Sequence, residues 1–370
     1  METTFEEYIK NYLTDKYGDV ADALYGLSYI MQYLVQKTKS ANRGVKARES
    51  FANLYAIYVI VEDYLNECFD RKGGYNRYCG ARFSNLMKRQ RELPFGAKLQ
   101  NHALNSRMND EFFKFFPTQS GIPPIIRNLE TQRYWFNENY LKIKIGKKKI
   151  NIAQDIINII DHYVEVKQGH LKRFIEQCEK LQEIESCEQD TVTTFIRSLL
   201  DTSADARLFE IVSYSILKYT FIDDVIYWGH SREQLNEEHL RLYKTGWTNA
   251  NDGGIDFVMK PLGRFFQVTE TLDFKKYFLD IEKIEHFPMT FVIKSDESES
   301  DIRTKLENDA KRIYVIDEVV SAYLQCIEEI INITKLQEYL SILIQKEQVS
   351  AVLSEIIHQS KVEFNYGEEE

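Results

Sequence analysis

Residues 252–273 read DGGIDFVMKPLGRFFQVTETLD, and the fold turns on this stretch. Two short apolar-rich segments, 255–259 and 264–269, flank Lys260, Pro261, Leu262 and Gly263. Proline and glycine in so short a connection predict a tight turn between two strands. With a two-residue period, Asp256, Val258 and Lys260 share one face of the first strand. Phe265, Gln267 and Thr269 share a face of the second. A carboxylate and an amide then meet at the end of a hairpin, where a divalent metal ion can sit. A solvated aspartate at a turn satisfies the same letters, so the flanking sequence decides.

Upstream, residues 205–221 read DARLFEIVSYSILKYTF. Phe209, Val212, Ile216 and Leu217 recur at helical spacing and predict a buried helix, with Asp205 as its N-cap. Glu210 lies on the stripe of Ala206, Tyr214 and Leu217, at the border of the apolar face. It is either a solvated edge residue or, because a buried carboxylate is costly alone, one held by a cation or a hydrogen-bond network. Downstream, 274–284 predicts a helix, 289–293 (MTFVI) a strand, 312–316 (RIYVI) another strand, and 318–331 a helix. The order is helix, strand, strand, helix, strand, strand, helix. With a mostly helical N-terminal region before it, the chain reads as α+β.

The arrangement resembles the PD-(D/E)XK nuclease superfamily, specifically its restriction-endonuclease-like branch with a Mrr-type pattern. The matching residues are Phe209 and Glu210 on the helix, Gly253, Gly254, Ile255 and Asp256 at the first strand, and Gln267 with Val268 on the second. The match covers roughly 205–323; its motifs are short, and their order and spacing carry it. It implies an α/β core with a central mixed sheet, and an Mg²⁺-dependent, sequence-specific double-stranded DNA endonuclease of the type II restriction class. It also implies a possible homodimer, with a cognate methyltransferase as functional companion. Asp256 is expected to bind the metal directly, Gln267 to add a neutral oxygen, and Glu210 to bind the metal or a water beside it. The family's lysine position holds Thr269, and Glu270 follows. Lys260 is the first candidate substitute because it shares a strand face with Asp256, Lys218 the second, and Glu270 an alternative acid. A structure-specific repair or mobile-element nuclease, or a catalytically inactive DNA-binding protein of this fold, are the alternatives.

The chain has 370 residues, enough for two domains or one with a large extension. Organisation is expected as a mainly helical DNA-recognition region (1–190), a catalytic core (191–332), and C-terminal helices with an acidic tail (333–370). An acidic linker at 183–190 marks the boundary. Net charge is −10, but residues 71–107 carry nine basic residues against the single acid Glu92. Such local asymmetry matters more for a polyanion than the net value does. Within this block Arg82, Lys88, Arg89, Arg91, Lys98 and Arg107 suit phosphates or guanine edges, and Gln100, Asn101 and Asn105 suit adenine edges. A solvated basic loop packed on the protein's own acids is the plainer account. Tyr75, Tyr78 and Phe83 are candidates to pack on sugar or base. Residues 140–151, YLKIKIGKKKIN, predict a lysine-rich hairpin.

No apolar run approaches the ~20 residues that span a bilayer. The N-terminus lacks an apolar signal core, so a cytoplasmic protein is expected. Five cysteines without a C-x-x-C spacing are expected to be reduced and structural. The sequence contains no G-x-x-x-x-G-K-[ST], H-E-x-x-H or G-x-S-x-G, which removes the motif basis for ATPase, zincin and serine-hydrolase functions.

Overall fold

The structure, a computed structural model, describes residues 4–41, 47–97, 99–183, 189–245, 254–314 and 316–364. It is α+β, and the chain divides into two compact units after Lys172.

The first unit opens with α1 (Phe5–Tyr17), α2 (Ala21–Leu27), α3 (Tyr29–Ala41), α4 (Ala47–Asn66) and the single turn α5 (Phe69–Lys72). A capping box between Thr4 and Glu7 starts α1. In α4, Leu54, Ile57, Tyr58 and Val61 are buried, as are the residues between them, so the middle of this helix is covered on every side. Then follow β1 (Ala81–Arg82), α6 (Phe83–Glu92), α7 (Met108–Phe115), β2 (Ile125–Asn128) and β3 (Arg133–Phe136), the three strands making a small sheet in the order β1-β3-β2. The lysine-rich hairpin forms as β4 (Lys142–Ile145) and β5 (Lys148–Asn151), with Gly146 at φ +58° in the turn. Residues 153–182 form one long helix, α8 (Ala153–Gln182), within which the units divide.

The second unit contains α9 (Gln189–Ser198), α10 (Ala206–Thr220), β6 (Val225–Trp228), β7 (Asn236–His239), β8 (Arg241–Lys244), β9 (Phe257–Lys260), β10 (Arg264–Thr269), α11 (Phe274–Lys283), β11 (Met289–Ile293), α12 (Glu299–Lys311), α13 (Asp317–Gln325), β12 (Ile327–Ile331), α14 (Ile333–Gln345) and α15 (Val349–Phe364). Its sheet has the order β12-β11-β10-β9-β8; β8, β9 and β10 are antiparallel neighbours, and β10, β11 and β12 run parallel. Every residue of β11 is buried, as a central parallel strand covered on both faces requires. One face packs Phe257, Met259, Phe266 and Val292 against Phe209, Val212 and Ile216 of α10 and Leu336, Leu340, Val352 and Ile356 of the last two helices. The C-terminal helices therefore belong to this core. The other face packs Met289, Phe291 and Ile293 against Phe274, Tyr277 and Ile281 of α11 and Ile302, Leu306 and Ala310 of α12.

Two expectations at 312–331 are corrected. RIYVI is not a strand: Ile313 and Tyr314 both donate their N–H groups to the Ala310 carbonyl and finish α12, and Val315 lies outside the described residues. The predicted helix 318–331 stops at Gln325, and IEEII forms β12 beside β11. Two glutamates make that strand look helical, but Ile327, Ile330 and Ile331 are what the sheet buries. RIYVI has the better strand composition but no ladder, because β11 takes β10 and β12 as its neighbours. Helix α12 and strands β6, β7 and β8 lie in stretches where the sequence pattern predicts neither. The 183–190 boundary falls largely outside the described residues; Cys178 and Leu181, before it, already pack in the second core.

Cys68, Cys79, Cys178 and Cys326 are free thiols, and burial pushes that of Cys178 up to about 12. No described helix is long and apolar enough to cross a membrane.

Candidate active site at the end of the mixed sheet

Pairing of Phe257 with Phe266 and of Val258 with Phe265 lays the start of β9 beside the end of β10. Asp256, just before β9, donates its N–H to the Phe266 carbonyl (2.8 Å) and accepts the Val268 N–H on Oδ2 (2.7 Å). Its backbone N–H and its carboxylate thus bracket Gln267. The Gln267 side chain donates from Nε2 to the Val268 carbonyl (3.2 Å), while its buried Oε1 has no partner among the described residues. An unpaired buried acceptor costs ~1–3 kcal/mol, so this oxygen is set for a donor or a cation. Thr269, two residues on and so on the same face, is buried; its Oγ1 accepts from Lys276 Nζ at 3.0 Å and from the Thr271 N–H at 3.3 Å.

The approach to Asp256 depends on a glycine. Gly254 has φ +79°, and a Cβ there would lie 2.8 Å from Oδ1 of Asp280, a buried residue of α11. That carboxylate accepts from Lys283 Nζ at 2.8 Å, and its Oδ2 is buried without a partner among the described residues. Gly254→Ala therefore combines a left-handed backbone with a clash against an acid that packing holds still. It is expected to cost about 1–3 kcal/mol in denaturant unfolding. An unchanged midpoint would mean that the loop relaxes without strain.

The charged groups around the sheet end are largely spoken for. Glu210 pairs with Lys244 at 2.9 Å. Lys244 ends β8 opposite Phe257, whose ring packs on Tyr214, so Glu210 reaches the sheet end from the α10 face. Gln267, opposite Phe291, lies on the α11 face. The three expected oxygen donors are therefore not gathered at one point: Asp256 and Gln267 adjoin, and Glu210 is held apart by its lysine. Glu270 pairs with Lys294 at 2.6 Å, and the same ammonium donates to the Ala204 carbonyl just before α10. Lys218 pairs with Glu355 of α15 at 2.8 Å. Lys260 sits at the turn end of β9 with its ammonium 5.5 Å from the Tyr243 ring centroid. Lys244 and Lys276 are the site residues that sequence reasoning missed. The first lies in the unassigned stretch before the hairpin; the second was signalled by Asp273, the N-cap that fixes the first turn of α11.

Among the described residues no group of three His, Cys, Asp or Glu side chains could hold a metal ion. A smaller set of oxygen donors is present: the Asp256 carboxylate and the Gln267 Oε1, which has no partner among the described residues. Both suit a hard cation that keeps most of its waters.

In the first unit, the middle of the basic block is α6, which carries Lys88, Arg89 and Arg91. Arg82, Lys88 and Arg91 are exposed, and so is Asn101. Arg89 instead makes a forked pair with Glu62 of α4, each arm at 2.8 Å. Asn105 accepts from the Tyr134 hydroxyl at 3.2 Å, Gln100 meets His102 at 2.9 Å, and Arg107 has a buried Nε. Lys98 lies outside the described residues. The candidate stacking rings are absorbed by the protein's own packing: Tyr75 accepts the Phe136 N–H, Tyr78 donates to Asp63, and Phe83 lies 5.5 Å from Tyr134.

No family model, curated protein or solved structure matches the chain.

Proposed function

We propose that the chain is an Mg²⁺-dependent endonuclease of double-stranded DNA, acting in the cytoplasm at specific sequences. The observation that carries it is the Asp256 carboxylate held on the Val268 N–H, next to a Gln267 whose Oε1 is buried and unpartnered among the described residues. The succession α10, β8, β9, β10, α11, β11, with β11 parallel to β10, supports it by laying Asp256 beside the end of β10 that carries Gln267. Asp256 and Gln267 would hold the ion, which supplies polarisation of the phosphoryl oxygen and a more acidic water. The water oxygen bonds to phosphorus as one ester P–O bond breaks, leaving a phosphate monoester and a hydroxyl. Glu210, tied to Lys244, positions that neighbouring strand end. Arg82, Lys88 and Arg91 are the exposed cations for phosphates.

A second reading, a nuclease fold that binds DNA without cutting it, is favoured by Thr269 in the lysine position and by the Glu210–Lys244 pair. Incubation with unmethylated phage DNA and Mg²⁺ separates the two, with discrete fragments expected. Heterogeneous ends point to a reader of DNA structure, and binding without cleavage in Mg²⁺ or Mn²⁺ to the inactive form. Neutralising Arg82, Lys88 or Arg91 is expected to weaken binding to all sequences and lower the salt slope by ~0.9 for each phosphate left without its cation. Arg89→Gln is expected to loosen the helical unit instead, since it breaks the Glu62 fork. Unchanged slopes for all three exposed cations would move the DNA surface to the β4–β5 lysines.

A further inference from the structure

An active site for phosphodiester cleavage needs positive charge where negative charge develops, and β10 offers the neutral Thr269 there. We propose that Lys276, reaching from the first turn of α11 to the Thr269 hydroxyl, supplies this charge as a catalytic residue touching the phosphate being cut. The inference rests on the nuclease reading and names a group that the β9–β10 motif lacks.

The placement is fixed from three directions. Asp273 caps α11 by accepting the Lys275 N–H. Tyr277 donates its hydroxyl to the Thr271 carbonyl at 3.0 Å, and its ring lies 4.5 Å from that of Phe291. Burial and the nearby Asp280 push the Tyr277 phenol up, so it stays a neutral donor. The first turn of α11 is thereby anchored over the end of β10. From it, the Lys276 ammonium reaches Thr269 at 3.0 Å, on the strand face that Thr269 shares with Gln267.

The pairing of charges singles this lysine out. Lys244, Lys294, Lys218 and Lys283 are each matched with a carboxylate, those of Glu210, Glu270, Glu355 and Asp280. Lys260 lies over the Tyr243 ring. Among the described residues the half-buried Lys276 ammonium has no carboxylate, only a neutral hydroxyl. A partly desolvated cation without a counter-charge is one that an arriving phosphate stabilises.

The test measures single-turnover cleavage with Mg²⁺, DNA affinity with Ca²⁺, and thermal unfolding for wild type, Lys276→Ala, Lys276→Met, Lys276→Arg and Thr269→Val, and for Lys276→Ala combined with Thr269→Lys. Lys276→Ala is expected to slow cleavage by at least ~10²-fold, the scale of removing one donor to the transition state. Affinity and unfolding temperature should hold. Lys276→Met preserves the aliphatic stem and should be equally slow if alanine loosens α11. Lys276→Arg and the lysine restored at position 269 should each recover most of the rate. Thr269→Val, which removes only the hydroxyl, should cut far faster than Lys276→Ala. Normal cleavage by Lys276→Ala and Lys276→Met overturns the inference and leaves the nuclease reading standing. Equal slowing by Thr269→Val also overturns it, because the Lys276–Thr269 bond would then be a structural tie. A wild-type protein that cuts no DNA overturns both.

Discussion

Asp256→Ala is expected to lower Mg²⁺-dependent cleavage by at least ~10³-fold, the scale of several kcal/mol of metal-assisted stabilisation. DNA affinity measured in Ca²⁺ should change little. The substitution removes the carboxylate that adjoins Gln267, while Glu210 answers to Lys244 on the opposite face and Asp280 of α11 is matched with Lys283. Alanine also deprives the Val268 N–H of its acceptor, so a drop in rate could arise from a loosened strand end. Asp256→Asn resolves this. Asparagine keeps an oxygen for the Val268 N–H and removes only the charge that a hard cation seeks. It should therefore unfold like wild type and cut no better than alanine. If Asp256→Asn cleaves at near wild-type rate, the carboxylate is a strand cap and the metal lies elsewhere.

How much of this is legible in the sequence depends on whether a segment's signal is local. The hairpin around Lys260–Gly263 is legible because turn residues and two apolar segments lie within one short window. The α10 helix is legible from its period and from Asp205, which accepts the Arg207 and Leu208 N–H groups as an N-cap should. IEEII is not, because strand identity there comes from β11, far off in sequence, while its glutamates favour helix. RIYVI fails for the converse reason, a strand-like composition with no neighbour to pair with. In the site, Asp256 and Gln267 can be placed from alternation, since one hairpin holds both. Which lysine meets Thr269 cannot, since that depends on how α11 docks. Arg89 illustrates the same limit: in sequence it is one more positive charge of the basic block, and only the proximity of α4 makes it a structural partner of Glu62.

Glu270→Ala is expected to cost about 3–5 kcal/mol of stability, because it strands a buried charge. The Lys294 side chain is 4% exposed and Glu270 is 22% exposed, so the pair is shielded mainly on the lysine side. Without the carboxylate the hydrogen-bond partner left to the ammonium among the described residues is the Ala204 carbonyl, which is too little to offset its desolvation. Glu270→Gln keeps an acceptor and should cost less than alanine. Lys294→Met should cost less again, since Glu270 can turn towards water. Combining Lys294→Met with Glu270→Ala removes both charges and is expected to recover much of the stability in denaturant unfolding. The non-additivity measures the pair. The bond to Ala204 also links the end of β11 to the segment that leads into α10, so the single mutant should slow cleavage indirectly, by loosening the helix that carries Glu210. In the double mutant stability and cleavage should return together. A Glu270→Ala protein that is fully stable yet unable to cut would reverse the assignment, making Glu270 a metal ligand and Lys294 its spectator.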